Sequence, residues 1–172
     1  MKKIAVLLAC ALCAAPAFAG DKGILKLSLW DDIAVAVPNN IHNVTGLSLG
    51  IGSKVDTLDG IQWDFIYNDA YKVRGLKGAI YSTADIVYGI QGGLVSVNRQ
   101  EVKGIQGGLV TINQNDLTGL QYGFVNIAHG HVTGVQLGFV NYVNNIKGLQ
   151  IGLVNIAKNG YLPAMIFING RF

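Results

Sequence analysis

Gly104-Ile105-Gln106-Gly107-Gly108-Leu109-Val110 repeats Gly89-Ile90-Gln91-Gly92-Gly93-Leu94-Val95 residue for residue. The phrase continues downstream as Gly119-Leu120-Gln121-Tyr122-Gly123-Phe124-Val125-Asn126, Gly134-Val135-Gln136-Leu137-Gly138-Phe139-Val140-Asn141 and Gly148-Leu149-Gln150-Ile151-Gly152-Leu153-Val154-Asn155. Upstream it loosens into units that begin at Gly46, Gly60 and Gly75, so eight units of 14 or 15 residues occupy 46–157. The consensus is G-[LIV]-Q-x-G-[LF]-V-[NST]-[IVY], then a polar bend, then an apolar residue and Lys or Thr before the next Gly. A fixed short period of this kind is the mark of a repeat architecture.

Within each unit apolar residues at positions 2, 4 and 6 alternate with Gln, Gly and Val at 3, 5 and 7, the period of a β-strand. Asn113-Gln114-Asn115-Asp116, His129-Gly130-His131 and Asn144-Asn145 carry turn chemistry between strands. No stretch pairs helical caps with a 3.6-residue period, so the chain reads as all-β. Two architectures use such units. In a β-solenoid each unit is one coil, and eight coils stacked at about 4.8 Å make a rod about 38 Å long. In an antiparallel outer-membrane β-barrel each unit is one strand and its turn, and the alternation Ala164, Ile166, Ile168, Gly170 up to the terminal Phe172 suits that reading.

The solenoid is favoured on three grounds. The repeat is a single unit, whereas a meander duplicates by hairpins. Positions 2, 4, 6 and 8 are expected to share a face, so turning Leu and Phe toward lipid would carry Asn126, Asn141 and Asn155 there too, and unpaired amides in hydrocarbon are costly; in a solenoid they can stack as a ladder. The connections are also uniformly short. On this reading Leu120, Phe124, Val135, Leu137, Phe139, Leu149, Ile151 and Leu153 are expected to form the continuous core. Residues 20–45 are expected to supply strands capping the repeats, and 158–172 a closing strand.

These tandem units resemble those of a family of exported bacterial surface-repeat proteins. The likeness extends to Asn40-Ile41-His42-Asn43-Val44-Thr45-Gly46-Leu47-Ser48-Leu49-Gly50 before the repeats and to Asn159-Gly160-Tyr161-Leu162-Pro163 after them. The units at Gly60 and Gly75 depart from the pattern, with Asp64 and Lys77 in strand-like positions. The resemblance implies an envelope or surface location and little mechanism.

Residues 1–19 read as a cleaved secretory signal. Lys2 and Lys3 form its basic start, Ile4 to Ala15 its apolar stretch and Ala17-Phe18-Ala19 its cleavage site, which would leave Gly20 first. The apolar run is too short to span a bilayer. Both cysteines, Cys10 and Cys13, fall inside it, so the exported chain would have no thiol or disulfide. Loss of Lys2 and Lys3 from the 13 basic residues leaves 11 against 10 acidic ones. That near-neutral balance lacks the basic patch of a nucleic-acid binder. A hydrophobic content of 51% with 13% charge also excludes an intrinsically disordered chain.

Residues that could carry chemistry are few. Gly46-Leu47-Ser48-Leu49-Gly50 matches the G-x-S-x-G nucleophile elbow, but that motif needs a following helix, and Ser48 stands in the Gln slot of its repeat. His129 and His131 flank a glycine and His42 is remote; no carboxylate accompanies the pair within the unit, so they read as a polar turn. Gly92-Gly93 and Gly107-Gly108 lack the Lys-Ser/Thr of a phosphate loop. Asp31-Asp32 reads as a turn and Asp56 with Asp59 as a solvated bend, without the spacing of calcium-binding β-rolls. Trp30, Trp63, Tyr67, Tyr71, Tyr81, Tyr88, Tyr122, Tyr142 and Tyr161 read mostly as packing residues, or as interfacial girdles in a barrel. The reading is a noncatalytic exported envelope or surface repeat protein with a structural or binding role, without catalytic, metal or cofactor residues. Its partner and oligomeric state are left open, an outer-membrane or cell-surface partner included. A small outer-membrane pore or stabiliser is second, and a hydrolase or polyester synthase-like enzyme third.

Overall fold

The computed structural model describes residues 22–30, 33–37 and 42–172. The signal segment 1–19 with both cysteines, the Asp31-Asp32 turn and the first residues of the family-like stretch, Asn40 and Ile41, lie outside these. The elements are β1 (Lys22–Trp30), β2 (Ile33–Val37), β3 (Asn43–Asn113), β4 (Asp116–Leu137), β5 (Val140–Ala157) and β6 (Ala164–Arg171), hydrogen-bonded in the order β2-β1-β3-β4-β5-β6.

The long elements are strands wound into coils. β3 and β4 pair in parallel with Gly104 on Gly119, Gln106 on Gln121 and Thr111 on Asn126; β4 and β5 continue with Gly134 on Gly148 and Gln136 on Gln150. Each repeat is therefore one coil, like residues stack on like, and the protein is a β-solenoid. A barrel meander would have paired neighbouring units antiparallel, and that alternative is set aside by the parallel register. Antiparallel pairing occurs at the two ends, β1 with β2 and β5 with β6, while β1 runs parallel to the first coil with Lys26 beside Ser48.

The glycine that opens each repeat builds the wall. Gly46, Gly60, Gly75, Gly89, Gly104, Gly119, Gly134 and Gly148 all take φ between 132° and 149°, a region closed to most side-chain-bearing residues. From Gly60 onward, a Cβ at each would also strike the carbonyl oxygen of the glycine one coil before. Two independent constraints, dihedral and close approach, thus demand glycine at the same place in every coil.

What fills the tube differs from the expected core. Phe124, Leu137, Phe139, Ile151 and Leu153 are exposed, and Leu120, Val135 and Leu149 are half-buried. The interior instead holds four columns. Val44, Leu58, Val73, Val87, Val102, Leu117, Val132 and Ile146, each two residues before a repeat glycine, form the apolar column at 0 to 2% exposure. Beside it stand the position-3 residues including Gln62, Gln91, Gln106, Gln121, Gln136 and Gln150, and the position-8 residues Ser53, Ser82, Ser96, Thr111, Asn126, Asn141 and Asn155, joined by Asn68 from position 9 of its repeat, all buried. Small residues such as Ala70, Ala84, Ala128 and Ala157 complete the filling.

The inversion has a local cause. Positions 2, 4 and 6 face outward, but the chain turns a corner after position 6, so position 7 is partly exposed as well and position 8 is the next to point in. The asparagines therefore lie on the opposite side of the wall from Leu and Phe, and the assumption that they share a face fails at that corner. Inside, the amides of Gln91, Gln106, Gln121, Gln136 and Gln150 each have two N–H groups and both find acceptors. Gln136 Nε2 donates to Gln121 Oε1 (2.7 Å) and across the coil to the Tyr142 carbonyl (3.4 Å); Gln150 repeats this with Gln136 Oε1 (2.7 Å) and the Ile156 carbonyl (3.2 Å). The asparagine ladder is present, with Asn126 Nδ2 donating to Asn141 Oδ1 (2.8 Å) and Asn141 Nδ2 to Asn155 Oδ1 (2.7 Å). The Gln column donates toward the N-terminal coils and the Asn column toward the C-terminal ones, so their amide dipoles oppose and largely cancel. Buried amides are tolerable when both ends are satisfied, each bond then adding about 1 kcal/mol net.

Candidate functional site

Two regions break the monotony of the coils: a pair of ionisable groups inside the tube and an apolar face outside it. Lys77 occupies the Gln slot of its coil and Asp64 the inward-facing fifth position of the coil before, which glycine fills in six of the other seven repeats; they are 3% and 1% exposed. Ser53 Oγ donates to Asp64 Oδ2 (2.7 Å) and Gln62 Nε2 donates to Ser53 Oγ (2.6 Å). Burial pushes the Asp64 carboxyl up from its ordinary value, and bonds from Ser53, Gln62 and Asn68 oppose that rise. Burial pushes the Lys77 amine down to about 7, against the pull of Asp69 and Asp64. Lys77 Nζ has no hydrogen-bond partner. The pair was visible in the sequence as a departure from the repeat, but its burial was not, because the tube interior had been assigned to Leu and Phe.

The bends carry outward charge, and part of it is paired. Arg74 donates to both carboxylate oxygens of Asp59 from Nε and Nη2, and that fork holds the Asp59 carboxyl below its ordinary value. Arg99 bridges Asp69 (2.6 Å) and Asp85, two bends of neighbouring coils. Lys103 pairs with Glu101 at 2.7 Å. His131 Nδ1 lies 3.2 Å from Asp116 Oδ1, and His129 meets the Tyr142 ring edge-on at 6.2 Å. Asp116 is the carboxylate of the preceding coil that linear spacing could not supply. Among the described residues no three His, Cys, Asp or Glu side chains are grouped to hold a metal. Ser48 sits in the Gln slot as read from the sequence, fully buried, with its Oγ facing the tube interior rather than a cleft.

The outward face is the larger feature. Positions 2 to 7 of the eight repeats hold just two charged residues, Asp64 and Lys77, and both point inward. What points outward is a sheet of Trp63, Phe65, Leu94, Leu109, Tyr122, Phe124, Leu137, Phe139, Ile151 and Leu153, all exposed. The Trp63 ring lies over Gly78 and the Tyr122 ring over Gly107, so two of the glycine gaps at position 4 are covered from within the chain. Gly92 is not: a Cβ there would meet nothing nearer than the Lys77 carbonyl at 4.0 Å. Phe124 and Phe139 stack at 4.4 Å between centroids, and Phe139 with Tyr122, Leu137, Leu153 and Phe167 lines a groove of about 840 Å³.

Comparison with family models, with curated proteins and with solved structures finds no match.

Proposed function

We propose that the chain is a noncatalytic exported envelope or surface protein whose stacked strands serve a structural or binding role. One observation carries this reading: every repeat turns its charge-free side outward. Apolar patches of that extent on soluble chains belong to contact surfaces. The interior is filled by ladders rather than opened as a cleft, which suits a scaffold better than a catalyst. Export rests on the signal-like segment 1–19. Fractionation of cells expressing the full chain tests it, with N-terminal sequencing of the recovered protein. Recovery from the envelope with Gly20 first supports the reading; an intact Met1 form confined to the cytosol overturns it.

A further inference from the structure

We infer that the outward apolar face is where two copies of this chain pack, sheet against sheet. The inference names a partner for the binding role proposed above, and it does not depend on export.

Three observations select a second copy. The first is charge: a surface without outward charge from position 2 to position 7 is matched by one that also has none, and its own twin is such a surface. The second is area. Eight rungs, the seven coils from Gly60 to Gly148 and β6 beyond them, at about 4.8 Å and the five positions 2 to 6 at about 3.3 Å give a face of roughly 38 by 17 Å, so two faces bury about 1,300 Å², and stable interfaces begin at roughly 1,200 Å². The third is shape. The slot at Gly92 lies open between Ile90 and Leu94, while two coils beyond Gly104 the face is raised by Leu137 and Phe139. A two-fold axis lying between the two faces, parallel to the strands and level with the gap between the coils of Gly104 and Gly119, sets Leu137 of each copy over the Gly92 slot of the other and Phe139 against Leu94. Isologous contacts of this kind close on themselves rather than propagate.

A lipid surface is the competing occupant and fits less well. Membrane-lying faces are rimmed by basic side chains that reach headgroups, whereas here the rim is of mixed sign: Arg74, Arg99 and Lys103 are engaged by Asp59, Asp69, Asp85 and Glu101, and the exposed Lys54, Lys147 and Lys158 share it with Asp56 and Asp116.

Sedimentation of the full purified chain without detergent, over a hundredfold range of concentration, tests the inference. The native chain should sediment as a dimer. Leu94→Lys should weaken association at least about tenfold by burying charge at the contact. Gly92→Phe should do so by filling the slot, and it leaves the coil itself unstrained because its Cβ enters open space. Gln114→Lys, on the exposed bend between β3 and β4, should leave the dimer intact. Circular dichroism of each variant separates lost association from lost folding. A native chain that stays monomeric throughout, or a dimer indifferent to both face variants while folded, overturns the inference. So does a chain that is monomeric in buffer and pellets with phosphatidylcholine vesicles, which would give the face to lipid. None of these outcomes bears on whether the chain is exported.

Discussion

The coils opened by Gly104, Gly119, Gly134 and Gly148 and those opened by Gly46, Gly60 and Gly75 share a wall and differ in what it encloses. In the later group the interior glutamines bond to one another from Gln106 through Gln150, and the position-8 residues from Thr111 through Asn155. In the earlier group the same slots hold Ser48, Gln62 and Lys77, then Ser53, Asn68 and Ser82, with Asp64 projecting among them. Among the described residues, five of the ten buried side-chain atoms without a hydrogen-bond partner fall in the earlier coils, on Ser48, Gln62, Asp64, Asn68 and Lys77, and two in the later ones, on Asn113 and Gln150. The glycine column nevertheless runs unchanged through both groups, with φ of 149° at Gly60 and 132° at Gly119. Wall and filling are therefore separable: backbone geometry sets the coil, and ladders inside it set how well each coil is satisfied.

If the wall is common, damage to it should be equally severe in both regions. Gly60→Ala and Gly119→Ala each place a methyl group against the preceding glycine's carbonyl oxygen at a strained φ. Both should lose at least about 4 kcal/mol, combining backbone strain with an overpacked contact. Urea denaturation followed by circular dichroism measures it. A loss at Gly60 much smaller than at Gly119 would mean that the early coils tolerate a looser wall, and the comparison would have to be redrawn.

The filling is where the regions should part. The Lys77 amine titrates at about 7 in the fold and near 10.5 in the ordinary case. Between those values the unfolded chain holds the proton more readily, so stability is present above about 10.5 and is lost as pH falls toward 7. The loss at pH 7 is roughly 4 kcal/mol, from about 3.5 pH units at 1.36 kcal/mol each, less the half-titration there. Lys77→Gln, which restores the repeat, should therefore stabilise most near pH 7 and by less than about 1 kcal/mol near pH 10.5. Asp64, left without its cation, trims the gain, so Lys77→Gln combined with Asp64→Gly should exceed the single variant. A Lys77→Gln advantage that does not shrink with rising pH would show that charge burial is not what distinguishes the early coils.

The later ladders should respond in the opposite sense. Gln136→Leu keeps the volume but strips Gln121 Oε1 and the Tyr142 carbonyl of a donor and Gln150 Nε2 of an acceptor. A loss of about 3 kcal/mol is expected, one unsatisfied amide and its neighbours. A neutral result would mean that the ladder is decorative and that the Val column alone holds these coils together.

Much of this was legible in the sequence, and the part that was not has a definite reason. The coil period, its parallel stacking and the asparagine ladder follow from the spacing of Gly89, Gly104 and Gly119 and from Asn126, Asn141 and Asn155. Sidedness did not follow. Alternation states that Leu120 and Gln121 face opposite ways and is silent on which is inside; hydrophobicity was used to decide, and it chose Leu. The structure chose Gln, because its side chain spans the tube to a carbonyl six residues on and repeats that bond coil after coil. The corner after position 6 then hid the second half of the pattern, since it lets Phe124 point out and Asn126 point in. The pair Asp64 and Lys77 stood out as exceptions to the consensus, but without knowledge of sidedness they could not be recognised as buried.

The smallest effect tests that inversion directly. Phe139 is 49% exposed, and Val132 in the column two residues before a repeat glycine is fully buried. An interior phenylalanine would cost about 3 to 5 kcal/mol on truncation to alanine. Half of its ring area faces outward and its main neighbour is the stacked Phe124, so Phe139→Ala should cost no more than about 1 kcal/mol. Val132→Ala removes less surface yet opens a cavity, and it should cost more, on the order of 2 kcal/mol. The measurement belongs at protein concentrations low enough for the chain to be monomeric, because a face-to-face partner would bury Phe139 and inflate its cost. A larger loss at Phe139 than at Val132 under that condition would return the aromatic residues to the core and turn the tube right side out.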